Sequence, residues 1–366
     1  MQCRLATPSD NPALLSLTAS CPMQGEIVLC NDRQPDFFML HRLDGGAWVV
    51  GIAEDPVAGV VGCVSLAERT AYIRGEPAKS YYISDLKVHP EFRGRGVAAR
   101  LIELVREIGT ARGPKAPVLL TVLAGNTVMA RRLVGPRARS QVTRIAALRL
   151  HTIPLLWRRP VVRVDDVTIG QGEAGDAEAL AECWQRVAPG RQFASVLDGG
   201  DLARWSSSVP GLSPQSYWLA RARDGSIVGF LALWDRSPCA QLRVLRYGWR
   251  GSLVRAGMGV LARSLKLRPL PPPGEPLPHL SGLHVCVPSG RADVLRALLL
   301  HAARAARRAG YLFITLGLDR RDPLTEALRG LVALSTDIDA FVTTSAGPYT
   351  GPLLDDRPLH YETALV

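Results

Sequence analysis

The sequence lacks long apolar runs and holds few lysines. No run approaches the ~18–20 apolar residues that a membrane-spanning helix needs, so we expect no membrane partner. Lysine supplies only four of the 44 basic residues, at positions 79, 87, 115 and 266, and the rest are arginines. The codon preference of a GC-rich genome explains this bias, so the net charge of +11 is weak evidence about partners. A basic surface still favours anionic ligands.

Cysteine pairs and metal-ligand spacings are also missing. The seven cysteines form no C-x-x-C pair and are odd in number, which argues against a disulfide framework or a zinc site. The seven histidines show no metal-ligand spacing, so we expect no metal. The first residues, M-Q-C-R-L-A, hold no hydrophobic signal region, and the expected compartment is a reducing cytoplasm. We see no helix-turn-helix, RNA-binding or zinc-finger signature and expect no nucleic-acid partner.

The most informative stretch is residues 83–98, I-S-D-L-K-V-H-P-E-F-R-G-R-G-V-A. An alternating pattern that ends at Val88 predicts a strand, which His89 and Pro90 stop. From Val97 the apolar residues recur three or four positions apart, which predicts a helix. Between them lies a turn with two glycines and two arginines. Glycines let the backbone come close to a ligand and amides at a helix start attract anions, so this turn predicts a site for a phosphate-bearing cofactor.

The spacing narrows the class of cofactor. The nucleoside-triphosphate pattern G-x-x-x-x-G-K-[ST] and the dinucleotide pattern G-x-G-x-x-G are absent from this turn. What remains is Arg93-x-x-Gly96-x-Ala98 after a strand. It resembles the acyl-CoA-binding motif R/Q-x-x-G-x-G/A of the GCN5-related N-acetyltransferases (GNAT). The alternative is an ordinary strand-to-helix turn with surface arginines.

The order of the predicted elements is similar to that of the same family. A strand and helices come first, then a meander of three strands, the cofactor turn with its helix, a fifth strand, another helix and the closing strands. The resemblance implies an α/β (α+β) fold, in which helices flank a mixed, mostly antiparallel central sheet.

The chain resembles this family twice. A segment at Asp10 matches one at Asp176, an offset of 166 residues, and a hairpin at Gly62 matches one at Gly229, an offset of 167. A third match sets S-D-L-K-V at 84–88 beside S-G-L-H-V at 281–285, an offset of 197. We therefore predict two tandem GNAT-like domains, 1–158 and 164–366, the second with an insert near 242–278.

The resemblance implies cofactor-binding roles for residues of the first domain. The backbone at Leu86, Lys87 and Val88 would pair with the pantetheine arm of an acyl-CoA as if that arm were an added strand. The turn would wrap the diphosphate through Arg93, Gly94, Arg95, Gly96, Val97 and Ala98. Asn126 matches an asparagine that contacts the pantetheine in this family. Its alternative role is a helix N-cap.

Catalysis in this family is direct attack of a neutral amine on the thioester, often with a carboxylate acting through water as the base. Asp85 stands where the family frequently carries an acid. Its alternative role is a structural carboxylate that anchors a neighbouring loop. Glu68 is a weaker candidate, as is Glu26, which we place in a first helical region beside the acceptor groove. The family's tyrosine, seven residues after the asparagine, is absent, and Leu133 stands there.

The second copy has lost its glycines. Its loop reads S-G-R-A-D-V and places Asp293 where the diphosphate would lie, so we expect no productive coenzyme A binding there. The leading hypothesis is an N-acetyltransferase that moves acetyl from acetyl-CoA to an amine of a small molecule or peptide. The alternatives are a longer acyl-CoA or an acidic acyl-carrier protein as donor, and coenzyme A binding without turnover. Because two copies can mimic a dimer, we expect a monomer.

Overall fold

The computed structural model describes residues 1–43, 46–134, 142–265, 268–351 and 355–365. The first half contains β1 (Gln2–Leu5), α1 (Asn11–Ala19), β2 (Ile27–Asp32), α2 (Met39–Leu43), β3 (Trp48–Asp55), β4 (Gly59–Ile73), β5 (Glu76–Val88), α3 (Val97–Arg112), β6 (Pro117–Leu123), α4 (Thr127–Val134) and β7 (Thr143–Pro154). The second half contains β8 (Val167–Gln171), α5 (Ala177–Val187), α6 (Gly199–Ser208), β9 (Tyr217–Ala222), β10 (Ile227–Trp234), β11 (Gln241–Tyr247), α7 (Trp249–Leu265), β12 (His279–Cys286), α8 (Ala292–Arg308), β13 (Phe313–Asp319) and β14 (Leu334–Thr344).

Twelve of the strands form one sheet, in the order β1-β3-β4-β5-β6-β14-β7-β13-β12-β10-β9-β8. The ladders are antiparallel except β5–β6 and β12–β13, which are parallel. Helices cover both faces of the sheet. This mixed, mostly antiparallel architecture confirms the predicted fold class. None of the helices in the described ranges has the length and apolar character required to cross a membrane.

The two halves exchange a strand at the centre of the sheet. β14, near the end of the chain, pairs with β6 on one side and with β7 on the other. β7 in turn pairs with β13. Strands from both halves therefore alternate there, and the predicted boundary between residues 158 and 164 stays a prediction.

Alternation along β3 explains why the first half needs helices on both faces. Val50 and Ile52 point to the face where they pack with Leu14 of α1. Ala53 points to the opposite face and packs with Leu101 of α3. Because successive side chains of a strand point to opposite faces, a sheet that is apolar on both faces requires cover on both. The result is a three-layer arrangement that fixes α3 against β4.

The strand ladders correct the third internal match. Ser65 on β4 pairs with Ser84 on β5, and Ala232 on β10 pairs with Leu283 on β12. Ser65 and Ala232 are 167 residues apart, which is the offset of the matching hairpins, so these two residues are equivalent. Their ladder partners, Ser84 and Leu283, are therefore equivalent as well, and they are 199 residues apart. The predicted offset of 197 is wrong by two residues, because similarity between short sequence segments does not determine strand register. Asp85 is therefore equivalent to the residue at position 284.

The insert near 242–278 forms β11 and α7 and connects the two halves. β11 pairs with β2 of the first half in a separate two-stranded sheet. The predicted first helical region at Glu26 is wrong, because residues 27–32 form this strand. Glu26 lies just before it, and its carbonyl accepts a hydrogen bond from the amide of Gly248 at 2.7 Å.

Candidate functional site

The glycine turn has a backbone that only glycine adopts readily. Gly94 has φ +83° and Gly96, directly before α3, has φ +79°. A Cβ atom added at either would meet nothing within 4 Å in the described ranges, so the positive φ, and not close packing, requires glycine here. The amide of Arg100 donates to the Gly96 carbonyl at 3.2 Å, so the amides at positions 97–99 have no partner within the helix.

The turn is open and positively charged. Arg93, Gly94, Arg95 and Gly96 are exposed, whereas Val97 is buried and anchors the helix start. Arg93 Nε donates to the Val88 carbonyl at 3.2 Å, and the Arg95 guanidinium lies 4.8 Å from the centre of the Phe92 ring. Neither arginine forms an ion pair with an acidic side chain in the described part of the chain. Free amides and uncompensated guanidinium groups together suit an anion.

A gap opens beside the turn because β5 and β6 separate. Their parallel ladder covers only Tyr81–Ile83 opposite Val118–Leu120. Beyond it, β5 continues to Val88 along β4, while β6 continues along β14. Leu86, Lys87 and Val88 thus have β4 on one side and the gap on the other. The gap leads to the glycine turn, so the predicted cofactor-binding residues of β5 and of the turn lie along one path.

A bulge in β5 separates the ladder from the gap. Asp85 lies at this bulge with φ +51°, a left-handed backbone that is uncommon for a residue other than glycine. Its carboxylate lies 3.3 Å from Arg33 Nη2 and 3.4 Å from His41 Nε2, and it also pairs with Lys87 Nζ. The His41 ring nitrogen in addition lies 3.1 Å from Ser65 Oγ. Asp85 therefore connects the bulge to the segment that follows β2.

The electrostatics of Asp85 follow from these contacts. Burial opposes ionisation, but the positive charges of Arg33 and Lys87 and the hydrogen bond with His41 outweigh it. They hold the pKa of the Asp85 carboxyl well below its usual range. The Arg33 side chain is only 2% exposed, so a charged pair is buried here.

The other predicted site residues have simpler surroundings. Asn126 Oδ1 accepts a hydrogen bond from the Met129 amide at 3.2 Å. Asn126 therefore caps the N-terminus of α4, which is the alternative role predicted for it. Its contact with pantetheine stays a prediction. Leu133 lies on the same helix and packs against the small core that contains Phe341. Glu68 pairs with Lys79 at 2.9 Å.

The second half keeps the bulge, but residues 360–363 near the end of the sequence, called the tail below, pack against it. His284, equivalent to Asp85, has φ +50°. Its amide donates to the two carboxylate oxygens of Glu362 at 3.0 and 3.2 Å. Glu362 also pairs with His360 Nε2 at 2.6 Å. A Cβ atom at Gly317 on β13 would lie 2.4 Å from Thr363, which shows how closely this tail packs.

The second loop also neutralises its own charge. Arg291, in the turn before α8, lies 2.8 Å from an Asp166 carboxylate oxygen and 3.1 Å from one of Asp293. Two carboxylates thus surround one guanidinium at the helix start. This arrangement agrees with the predicted loss of anion binding in the second half, which stays a prediction.

Sequence reasoning missed Arg33 and His41. Both come from the segment after β2, about fifty residues before Asp85, and both are buried. His41 also stacks on Trp48 at a centroid distance of 5.6 Å. No local motif marks either residue. The two residues can be recognised as partners of Asp85 only when the fold brings them to the bulge.

Comparison with known proteins agrees with this geometry. Residues 12–132, which hold the gap, the bulge and the glycine turn, match the model of the acetyltransferase (GNAT) family. Residues 12–132 form a GNAT acetyltransferase domain. Among curated proteins, none matches the sequence.

Solved structures extend the likeness in fold beyond the GNAT domain to nearly the whole chain. A GCN5-related N-acetyltransferase from Sphaerobacter thermophilus is 16% identical with a TM-score of 0.58, and the match covers 94% of this chain and 95% of that one. Saccharomyces cerevisiae N-myristoyltransferase with bound myristoyl-CoA is 12% identical with a TM-score of 0.63, and the match covers 98% and 87%. A probable N-acyltransferase from Enterococcus faecalis is 10% identical with a TM-score of 0.52, and the match covers 94% and 73%. These identities show the fold alone.

Proposed function

We propose that the chain is an N-acyltransferase that moves an acyl group from an acyl-CoA to an amine. The observation that carries the proposal is the gap between β5 and β6, which runs from the bulge at Asp85 to the glycine turn before α3. A strand edge, free helix amides and two uncompensated arginines succeed one another along it. An acyl-CoA offers an amide-bearing arm and then a diphosphate in the same order.

The residues of this path would hold the acyl-CoA as follows. The open edge of β5 at Leu86, Lys87 and Val88 would pair with the amides of the pantetheine arm as an added strand would. The amides from Arg93 to Ala98 would bind the diphosphate, with the α3 dipole adding positive potential. Asn126, at the start of α4 on the β6 side of the gap, would face the pantetheine.

The second half suggests how the thioester is polarised. The amide at its bulge, that of His284, donates to carboxylate oxygens of the tail. Asp85 occupies the equivalent place, so we propose that the amide at its bulge donates to the thioester carbonyl oxygen. This oxygen gains negative charge when the amine nitrogen attacks the carbonyl carbon.

The transfer balances without a cofactor beyond the acyl-CoA. The amine nitrogen forms the new C–N bond, the C–S bond breaks, and the thiolate of coenzyme A departs. The attacking nitrogen releases one proton to water. Because Leu133 stands where the family's tyrosine lies, we propose that water delivers a proton to the departing thiolate.

Asp85 as general base stays a prediction, and its contacts support the alternative of a structural carboxylate. A carboxylate whose pKa is held far below its usual range is a weak proton acceptor near pH 7. Its oxygens already face Arg33, His41 and Lys87. We propose that it is a positioning residue, which fixes the bulge to the segment from Arg33 to His41.

Acetyl is the proposed acyl group and a small molecule or peptide the proposed acceptor, in a monomer. The runner-up donor is a longer acyl-CoA, and the solved relative with bound myristoyl-CoA supports it as a precedent of the fold. An acyl-carrier protein would be a second alternative donor. Coenzyme A binding without turnover is the alternative from a different class.

Calorimetry with acetyl-CoA, coenzyme A and a long-chain acyl-CoA tests the donor. We expect one site per chain and loss of binding in Gly96→Glu, which places a carboxylate at the turn. Gly290→Glu, at the neutralised second turn, is the matched control and should bind as wild type does. Unchanged binding in Gly96→Glu would refute the site.

Thiol release with a panel of amines tests the reaction itself. Release that depends on both acyl-CoA and one class of amine supports transfer. Tight acyl-CoA binding without thiol release above the amine-free rate would instead support a non-catalytic role. If no coenzyme A species bound, the likeness to acyltransferases would be limited to the fold.

A further inference from the structure

A cluster of arginines in the second half has no part in the proposed reaction. The segment after β7 and the last two turns of α8 enclose a small pocket. Five arginines line it: Arg158, Arg159, Arg304, Arg307 and Arg308. None of the five forms an ion pair with a carboxylate among the described residues. Like charges gathered without a counter-charge are unfavourable, so this pocket calls for an explanation.

Two buried guanidinium N–H groups in the pocket lack a partner. Arg159 Nε and Arg307 Nε are shielded from solvent and have no hydrogen-bond acceptor among the residues that the structure describes. Arg159 is held in place by its Nη2 atom, which donates to the carbonyls of Val332 at 3.2 Å and Pro154 at 3.4 Å. A buried donor without an acceptor is unfavourable, and an anionic ligand would supply acceptors to this cluster.

The helix dipole accounts for only part of the cluster. Arg304, Arg307 and Arg308 lie near the C-terminus of α8, where positive side chains are favourable. This explains neither Arg159, which comes from a different segment, nor the buried N–H groups. Burial and, to a smaller extent, the nearby charge of Arg296 lower the pKa of Arg159, so its surroundings disfavour its charge.

We propose that this pocket binds a phosphate-class oxyanion. Guanidinium groups from two elements offer paired N–H donors that match the oxygens of a phosphate. Trp157, which is 43% exposed, lies beside Arg159 with its ring centre 5.5 Å from the guanidinium carbon. Trp157 and Arg159 also border an adjoining cavity of about 220 Å³, lined by Arg296 and otherwise mostly by apolar residues, which has room for the organic part of a phosphate ester. The proposal does not depend on acyl transfer.

Calorimetric titration at low ionic strength with inorganic pyrophosphate and with adenosine monophosphate tests the proposal. The background is Gly96→Glu, so that the coenzyme A turn does not contribute. We expect binding of pyrophosphate that weakens with added salt and falls at least tenfold in Arg307→Met. Arg223→Met, an exposed arginine on the β9–β10 turn, is the control and should bind as its background does.

The two ligands distinguish the source of the phosphate. If Trp157→Ala weakens binding of the nucleotide but not of pyrophosphate, the site takes a phosphate ester whose organic part contacts the ring. If both are unaffected, it takes the bare oxyanion. Arg158→Met is the second test, because its side chain is exposed and its loss should not affect folding. Affinity for pyrophosphate equal to that of the Gly96→Glu background in both Arg307→Met and Arg158→Met would overturn the proposal, as would an equal loss in Arg223→Met.

Discussion

Replacing Asp85 by asparagine should destabilise the protein through its buried ion pair. The substitution keeps the size of the side chain and removes its charge. Arg33, 2% exposed, would then lose its carboxylate partner at 3.3 Å, and Lys87 would lose one as well. Removing one member of a buried ion pair costs about 3–5 kcal/mol, because the other charge stays buried without compensation. We expect a loss of this size at pH 7.

The loss should depend on pH in a defined direction. The pKa of Asp85 is lower in the folded protein than in the unfolded chain. Its contribution is therefore complete above the unfolded pKa of about 3.9 and disappears as the pH falls below it toward the folded value. The difference between wild type and Asp85→Asn should be constant from pH 7 down to pH 5 and should shrink below about pH 4. Urea unfolding followed by circular dichroism measures it.

The exposed pair of Arg144 and Asp339 provides the control. Because the Arg144 side chain is 54% exposed, Asp339→Asn should cost about 1 kcal/mol or less. Hydrogen exchange adds a local readout, since the segment from Arg33 to His41 should exchange faster in Asp85→Asn. Stability within about 0.5 kcal/mol of wild type, together with a large loss of turnover, would refute the anchoring role and restore Asp85 as a base.

Three further predictions test the rest of the fold and site. Gly96→Ala should cost about 1–2 kcal/mol in thermal unfolding because of its φ of +79°, and should weaken acetyl-CoA binding in calorimetry. Cys63, whose pKa burial raises to about 12, should resist iodoacetamide at pH 8 in the folded protein and react in urea, as peptide mapping would show. Phe341→Ala should lower stability by about 3–5 kcal/mol and weaken acyl-CoA binding, because Phe341 packs under α4; Phe230→Ala should be equally destabilising without this effect on binding. Rapid labelling of Cys63, or equal acyl-CoA affinity in the two phenylalanine variants, would contradict the corresponding argument.

The coenzyme A turn could be predicted because its signal is local. Gly94 and Gly96 need a positive φ, Val97 opens an amphipathic helix, and all of this is contained in sixteen consecutive residues. The contacts of Asp85 could not be predicted, because Arg33 and His41 reach it only through the packing of α1, Phe37 and Phe38 against the sheet. The offset of 197 failed for a related reason. Both halves carry the bulge, so only the ladder partners of Ser65 and Ala232, which are Ser84 and Leu283, fix the equivalence, and residue types do not report those partners.

The exchange of β14 makes the site of the GNAT domain depend on the end of the chain. β6 forms one wall of the gap, and beyond Leu120 its ladder partner is β14. Phe341 on β14 supports α4, which carries Asn126. The second half thus contributes a strand beside the first site, because β14 pairs with β6 from Pro117 to Leu123. The predicted loss of coenzyme A binding in the second half is compatible with retention of its fold, because β14 belongs to the central sheet, whereas Glu362 and Asp293 lie at the second bulge and turn.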